Sequence, residues 1–287
     1  MTVHWQTTRF RLDLTRPLVM GIVNVTPDSF SDGGHHAAEA DGRTHCDRLL
    51  AEGADILDLG GESTRPGAPL VPADEEWRRL RPVLAHALTL GVPVSIDTWK
   101  PEVMARALAM GADIINDVHA LETPGALQTV TAHPSCGVCL MHMRGVPADM
   151  QTRTRYADVV EDVSTYLRDR VTAVETAGVA QERLVLDPGI GFGKTVEQNF
   201  ELLRRQLVLR ALRRPLLVGW SRKSSLGVVT GRAVGERLAG SLAAALAAVR
   251  LGASIVRVHD VAATVDALKV WRAAGLVPPF AGDATPG

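Results

Sequence analysis

The chain has 287 residues, 46% of them hydrophobic, with 31 Lys plus Arg against 32 Asp plus Glu. That size buries a large core without disulfides or structural metal, and a formal net charge of −1 gives no field to gather nucleic acid or an anionic membrane surface. Its three cysteines, Cys46, Cys136 and Cys139, are too few and too odd in number for a disulfide framework and suit a reducing cytoplasm.

Residues 1–16 (MTVHWQTTRFRLDLTR) carry charges where a secretory signal needs an apolar core, and the alternation in FRLDL predicts a short hairpin. Eight short apolar runs of buried-strand type then follow at 18–23, 54–59, 93–97, 113–118, 137–142, 184–187, 215–219 and 254–259. A recurring phrase links them: AEGADILDLG (51–60), AMGADIINDV (109–118) and RLGASIVRVHD (250–260). In each, a helical segment ends at a glycine suited to a left-handed cap, and a β-branched run begins. Runs apolar on both faces, separated by crossover-length helices, indicate a parallel sheet covered by helices. Eight such units in about 250 residues have the dimensions of a (β/α)8 TIM barrel, with the N-terminal hairpin closing its floor. A doubly wound open sheet is the competing architecture. The whole chain, 1–287, reads as one domain, with 276–287 a C-terminal tail. The apolar run SLAAALAAV (241–249) stops at Arg250, short of the ~20 residues of a membrane span.

In a barrel the C-terminal strand ends converge on one mouth. Here they supply Asn24, then Thr64 and Arg65 in the loop GGESTRPGA, then Asp97, Asn116, His142, Asp187, the Ser221-Arg222-Lys223 group, Arg257 and His259. Charges ending buried strands are costly unless paired or facing a ligand. Lys223, Arg257 and His259 come from strands seven and eight, the usual phosphate side of this fold, and so imply a phosphate or pyrophosphate group. Asp97, Asn116 and Asp187 offer acceptors and an amide suited to a flat heterocycle with N–H donors.

Other motifs have plainer readings. PGIGFGKT (188–195) has Pro188 where the phosphate-binding G-x-x-x-x-G-K-T pattern needs glycine. CGVC (136–139) lies partly within a strand and has no partner pair, so it reads as core. His35 and His36 lack helix-face spacing and read as solvated. The Ala-rich segment 240–249 permits close approach of another helix, including one from a second copy.

The stretches GIVNVTPDSFSDGG (21–34), DLGGESTRPGA (58–68), VSIDTWKPEV (94–103), ADIINDV (112–118), LMHMRGVPADMQ (140–151), LDPGIGFGKTVEQN (186–199), GWSRKSSLG (219–227) and the segment from GSLAAALAA at 240 to GASIVRVHDV at 261 resemble the dihydropteroate synthase family over nearly the whole chain. The resemblance implies a TIM barrel, a homodimer, a Mg²⁺ requirement and the joining of 6-hydroxymethyl-7,8-dihydropterin pyrophosphate to p-aminobenzoate with release of pyrophosphate. It implies Asn24 as the Mg²⁺-associated residue; Asp97, Asn116, Asp187 and Lys223 as the pterin pocket; and Asn24, Arg65, Arg257 and His259 as the pyrophosphate set. Asn24, Lys223, Arg257 and His259 would be catalytic. Thr64, Pro66, Phe192, Lys223 and Ser224 would border p-aminobenzoate, the site that sulfonamides imitate. The family has Ser or Asn after NDV, where His119 stands here. The loops VTPDSFSDGG and GGESTRPGA, rich in Gly, Ser and Pro, are expected to close over bound pyrophosphate. A Schiff-base aldolase built on Lys223 and a pterin-binding module without turnover are the alternative functions.

Overall fold

The computed structural model describes residues 4–25, 34–63, 67–146 and 149–276, with side chains for all of these except 34–40. The N-terminal hairpin is present: β1 (His4–Gln6) pairs antiparallel with β2 (Arg11–Asp13). Eight parallel strands follow, β3 (Leu18–Asn24), β4 (Ile56–Gly60), β5 (Val94–Asp97), β6 (Ile114–Asp117), β7 (Gly137–Met141), β8 (Leu184–Asp187), β9 (Leu217–Val218) and β10 (Ile255–Val258). They run around the sheet in the order β8-β7-β6-β5-β4-β3-β10-β9. A parallel bridge between Leu186 and Leu216 joins the two ends, with the Leu186 N–H donating to Pro215 O at 3.0 Å. The sheet is thus a TIM barrel, and the open-sheet alternative falls away.

The helices α1 (Gly34–Ala51), α2 (Ala73–Ala87), α3 (Pro101–Met110), α4 (Ala126–Ala132), α5 (Val159–Thr176), α6 (Val196–Arg204), α7 (Ser224–Thr230), α8 (Leu238–Arg250) and α9 (Val261–Ala273) surround it. The repeated glycine phrase does what its chemistry requires. Gly53, Gly111 and Gly252 have φ of 98°, 104° and 93°. The residue after each donates back five positions, from Ala54 to Leu49 O, Ala112 to Ala107 O and Ala253 to Ala248 O. These bonds end α1, α3 and α8 and turn the chain into β4, β6 and β10. The run expected at 215–219 shortens to two residues, because Pro215 has no N–H to add to the ladder.

Inward-facing residues stack in layers. The floor layer gathers Leu18, Met20, Ile56, Ile114, Cys139, Val185, Leu217 and Ile255 with Trp5 and Leu14 from the N-terminal segment. Trp5 is fully buried, and its indole N–H donates to Arg183 O at 2.8 Å, so the hairpin plugs the barrel base and is pinned there. Cys139 in this layer and Cys136 in the larger cluster between barrel and helices are buried free thiols, in line with their reading as core. Trp5→Ala is expected to cost about 3–5 kcal/mol in chemical denaturation, and Trp5→Phe, which loses the indole bond and the volume of the second ring, about 2 kcal/mol.

Candidate active site

The period of two that puts Ile56, Ser95, Ile114, Val185 and Ile255 inside the barrel also puts inside the residue two positions further along each strand. Those residues are Asp58, Asp97, Asn116, Asp187 and Arg257, so one step above the floor the lining turns polar. Arg257 organises this layer. Its Nε donates to Asp58 Oδ2 at 2.6 Å and its Nη2 to Asp97 Oδ2 at 2.7 Å, with the Asp58 side chain fully buried. Asn116 Nδ2 lies 3.3 Å from the same Asp58 Oδ2. Burial opposes a charged Arg257, but Asp58 and Asp97 outweigh it and hold the guanidinium above its ordinary pKa. Burial pushes the Asp97 carboxyl up to about 7 against the pull of Arg257, with the Asp58 charge adding to the rise. Asp97 Oδ1 is buried with no hydrogen-bond partner. Gly60 lies between Asn24 and Asp97, where a Cβ would meet Asn24 Oδ1 and Asp97 Oδ2 only at the ordinary contact distance of 3.9 Å.

The other half of the mouth is built by the β8–α6 loop and the end of β9. Asp187 Oδ1 accepts the Gly189 N–H at 2.7 Å, and burial raises the carboxyl against that bond and the charge of Lys223. Lys223 stands with its ammonium 4.1 Å from the centroid of the Phe192 ring. Gly191, with φ of 84°, backs it so closely that a Cβ would come within 3.1 Å of the lysine Cδ. Burial lowers Lys223 to about 8, opposed by Asp187. Ser221 Oγ lies 3.0 Å from His259 Nδ1 and accepts the His259 backbone N–H at 3.1 Å, which fixes that ring at the end of β10.

A model of the pterin binding enzyme family matches residues 20–259. The dihydropteroate synthase of Neisseria meningitidis serogroup B is 52% identical over 278 residues, 95% of this chain and 98% of that protein. The chain belongs to the dihydropteroate synthases. The structure of the Xanthomonas albilineans synthase with 4-aminobenzoic acid superposes with a TM-score of 0.91 at 50% identity, covering 97% of this chain and 100% of that one. The Burkholderia cenocepacia synthase complexed with 7,8-dihydropteroate gives 0.86 at 49% identity, covering 95% and 96%.

Within this dihydropteroate synthase fold the mouth brings together Asn24, Asp97, Asn116, Asp187, Phe192, Lys223 and Arg257, with His259 held by Ser221. Thr64, Arg65 and Pro66, the His35 and His36 side chains, residues 26–33 of the first glycine-rich loop and the tail 277–287 lie outside the described residues. Ser224 is exposed at the first turn of α7. Two residues expected at the mouth have other work. Arg222, at φ 59°, turns its guanidinium to Asp260 at 2.5 Å, so adjacent cations part company at one left-handed residue. His142 is buried, with Nδ1 2.9 Å from the Lys194 ammonium, and burial together with that charge drives its pKa down to about 2, a neutral ring that accepts. His119 stacks against Trp99 at 4.9 Å between centroids and lines a rim cleft of about 210 Å³ with Glu122 and Tyr166; none of the mouth residues reaches that cleft.

Asp58 was not singled out from sequence, although its place two residues after Ile56 marks it as inward-facing. Lys194 lies in the glycine-rich stretch 188–195, where the sequence shows a charge but no partner for it. Its ammonium donates to Gly189 O at 2.9 Å, Phe192 O at 3.0 Å and the His142 ring, closing the β8–α6 loop on itself. Burial lowers it to about 7, but three acceptors around one nitrogen favour the ammonium form. Replacing Asp58 with Asn removes one of two carboxylates from a half-buried guanidinium, and a stability loss of about 2 kcal/mol is expected in urea unfolding.

Among the described residues no group of three or more His, Cys, Asp or Glu could hold a metal ion. Asn24, the last residue of β3, contributes one amide oxygen at the rim. A single oxygen fits a magnesium ion that arrives on a diphosphate and keeps several waters; it does not fit a resident cage.

Proposed function

We propose that this chain condenses 6-hydroxymethyl-7,8-dihydropterin pyrophosphate with p-aminobenzoate, forming 7,8-dihydropteroate and pyrophosphate as a transferase of folate biosynthesis. One observation carries the assignment of roles. Inside one barrel mouth an unpartnered buried carboxylate oxygen of Asp97, the Asn116 amide and Asp187 face the Lys223 and Arg257 cations. The acceptors suit the ring N–H and amino groups of a pterin, and Lys223 donates to its carbonyl side. Arg257 and His259, with Arg65 and Asn24, are assigned the pyrophosphate. Phe192, Lys223 and Ser224, with Thr64 and Pro66, are assigned p-aminobenzoate and the sulfonamides that compete with it.

Breaking the C–O bond to pyrophosphate leaves positive charge on the pterin methylene, which the electron-rich ring stabilises, and Arg257 and His259 stabilise the departing negative charge. Magnesium, when bound with the substrate through Asn24, supplies further Lewis-acid neutralisation of that charge. The aniline nitrogen is neutral and nucleophilic at pH 7, so attack needs no strong base, and departure precedes it. Pyrophosphate release measured with and without p-aminobenzoate tests the assignment; no release in either case would leave only a pterin-binding module. Asp187→Asn presents an amide to two N–H donors and is expected to abolish measurable pterin affinity by calorimetry.

The pH dependence follows from the two mouth groups. Asp97 accepts as a carboxylate, so kcat/KM rises as pH passes about 7, and Lys223 donates as an ammonium, so kcat/KM falls as pH passes about 8. A bell between those limits is expected, and Lys223→Arg, whose charge does not titrate in this range, should remove the alkaline limb.

We also propose that two copies associate through α7 and α8. Val228 and Val229 on α7, Val234 in the turn that follows and Leu238 at the start of α8 are exposed, 67%, 63%, 56% and 43%. Val229→Glu should shift sedimentation from dimer to monomer. No helix among the described residues is long and apolar enough to cross a membrane, and we assign the enzyme to the cytoplasm on its unpaired buried thiols.

A further inference from the structure

The β4–α2 connection is tied at its base by one carboxylate. Glu62 Oε1 accepts the Val71 N–H at 2.7 Å, which joins the two ends of the segment between them. Glu62 Oε2 accepts the Lys100 ammonium at 2.7 Å and the Trp99 indole N–H at 2.8 Å, which fixes that base to the corner between β5 and α3. Lys100 also reaches Glu76 at 2.5 Å in the first turn of α2, so one ammonium holds both the residue where the connection departs and the helix where it arrives. The three side chains are almost fully buried, at 6%, 9% and 1% exposure for Glu62, Lys100 and Glu76. Gly61 keeps this base close-packed, since a Cβ would press on Glu76 O and Leu80 Cγ at 3.0 Å.

None of these groups belongs to the ring around Arg257. A buried Lys with two carboxylates is weak as a source of stability, because apolar residues of the same volume hold a fold as well or better. What such a set does well is fix a register. The segment it closes carries Thr64, Arg65 and Pro66 in sequence, and Trp99 packs in the same apolar cluster as Phe192 on the mouth side.

We propose that Glu62, Lys100 and Trp99 are positioning residues for p-aminobenzoate: they fix the ends of the β4–α2 connection and so set amine-substrate affinity without touching either substrate. This rests on the assignment of Thr64, Pro66 and Phe192 to the p-aminobenzoate side. Glu62→Gln keeps the shape, but its single oxygen cannot serve Val71 and the Lys100–Trp99 pair at once. KM for p-aminobenzoate is expected to rise about tenfold, the loss of one charge-assisted hydrogen bond. KM for the pterin pyrophosphate and kcat should stay within about twofold, and sulfonamide inhibition should weaken in parallel with the rise. Trp99→Phe, which keeps one aromatic ring and removes the indole donor, should raise the same KM by a smaller factor and decides the matter if Glu62→Gln fails to fold. A folded variant with unchanged KM for p-aminobenzoate, or with both substrates weakened equally, overturns the proposal. Wild-type protein that fails to release pyrophosphate would instead overturn the function on which it rests.

Discussion

A guanidinium inside a barrel is tolerable only if its charge is answered there. Arg257 meets that condition by reaching from β10 to Asp58 on β4 and Asp97 on β5, which ties strands across the lumen and not merely around the wall. The pairing leaves three carboxylates, Asp58, Asp97 and Asp187, against the two cations Arg257 and Lys223. Burial pushes one carboxyl, that of Asp97, up to about 7, the Asp58 charge adding to the rise against the pull of Arg257, and its second oxygen is left without a protein partner. A site poised in this way holds an unsatisfied acceptor at fixed coordinates, and a donor-rich ring gains by completing it.

Around that layer lies a second use of buried lysines, in which the ammonium binds protein and no ligand. Lys194 gathers carbonyls of its own loop and the neutral His142 ring, and by doing so holds Phe192 beneath Lys223. Lys100 does the same for the β4–α2 connection through Glu62 and Glu76. In both places the charge is satisfied by several acceptors at short range, the arrangement that makes a buried cation tolerable and its neighbours rigid. The ligand-facing lysine differs: Lys223 lies over an aromatic face, burial lowers its pKa to about 8 against the charge of Asp187, and its donors remain for substrate.

Much of this was legible in the chain. The eight apolar runs are the eight strands, and the glycine phrases end three helices as their chemistry demands. Asp97, Asn116, Asp187, Lys223 and Arg257 converge as their places at strand ends imply. What escaped notice has a common cause. Asp58 lies inside a strand and not at its end, where an apolar run conceals a charge that points into the lumen. Arg222 and Lys223 are neighbours with the same charge, and only a positive φ at Arg222 separates their directions. Lys194 and Lys100 sit in loops where sequence gives a charge but not the carbonyls or carboxylates that surround it.

The sequence by itself determined the alternation that sends one residue in two into the barrel, the glycines that stop the helices, and the kinds of chemical group delivered to the mouth. These are local properties, fixed by backbone sterics and by the cost of exposing apolar side chains. Tertiary structure alone decided which cation meets which carboxylate, which lysine serves the ligand and which serves a loop. Those choices depend on distances between residues 199 and 160 positions apart in the chain, as for Arg257 with Asp58 and Asp97, and no local pattern encodes a distance of that kind.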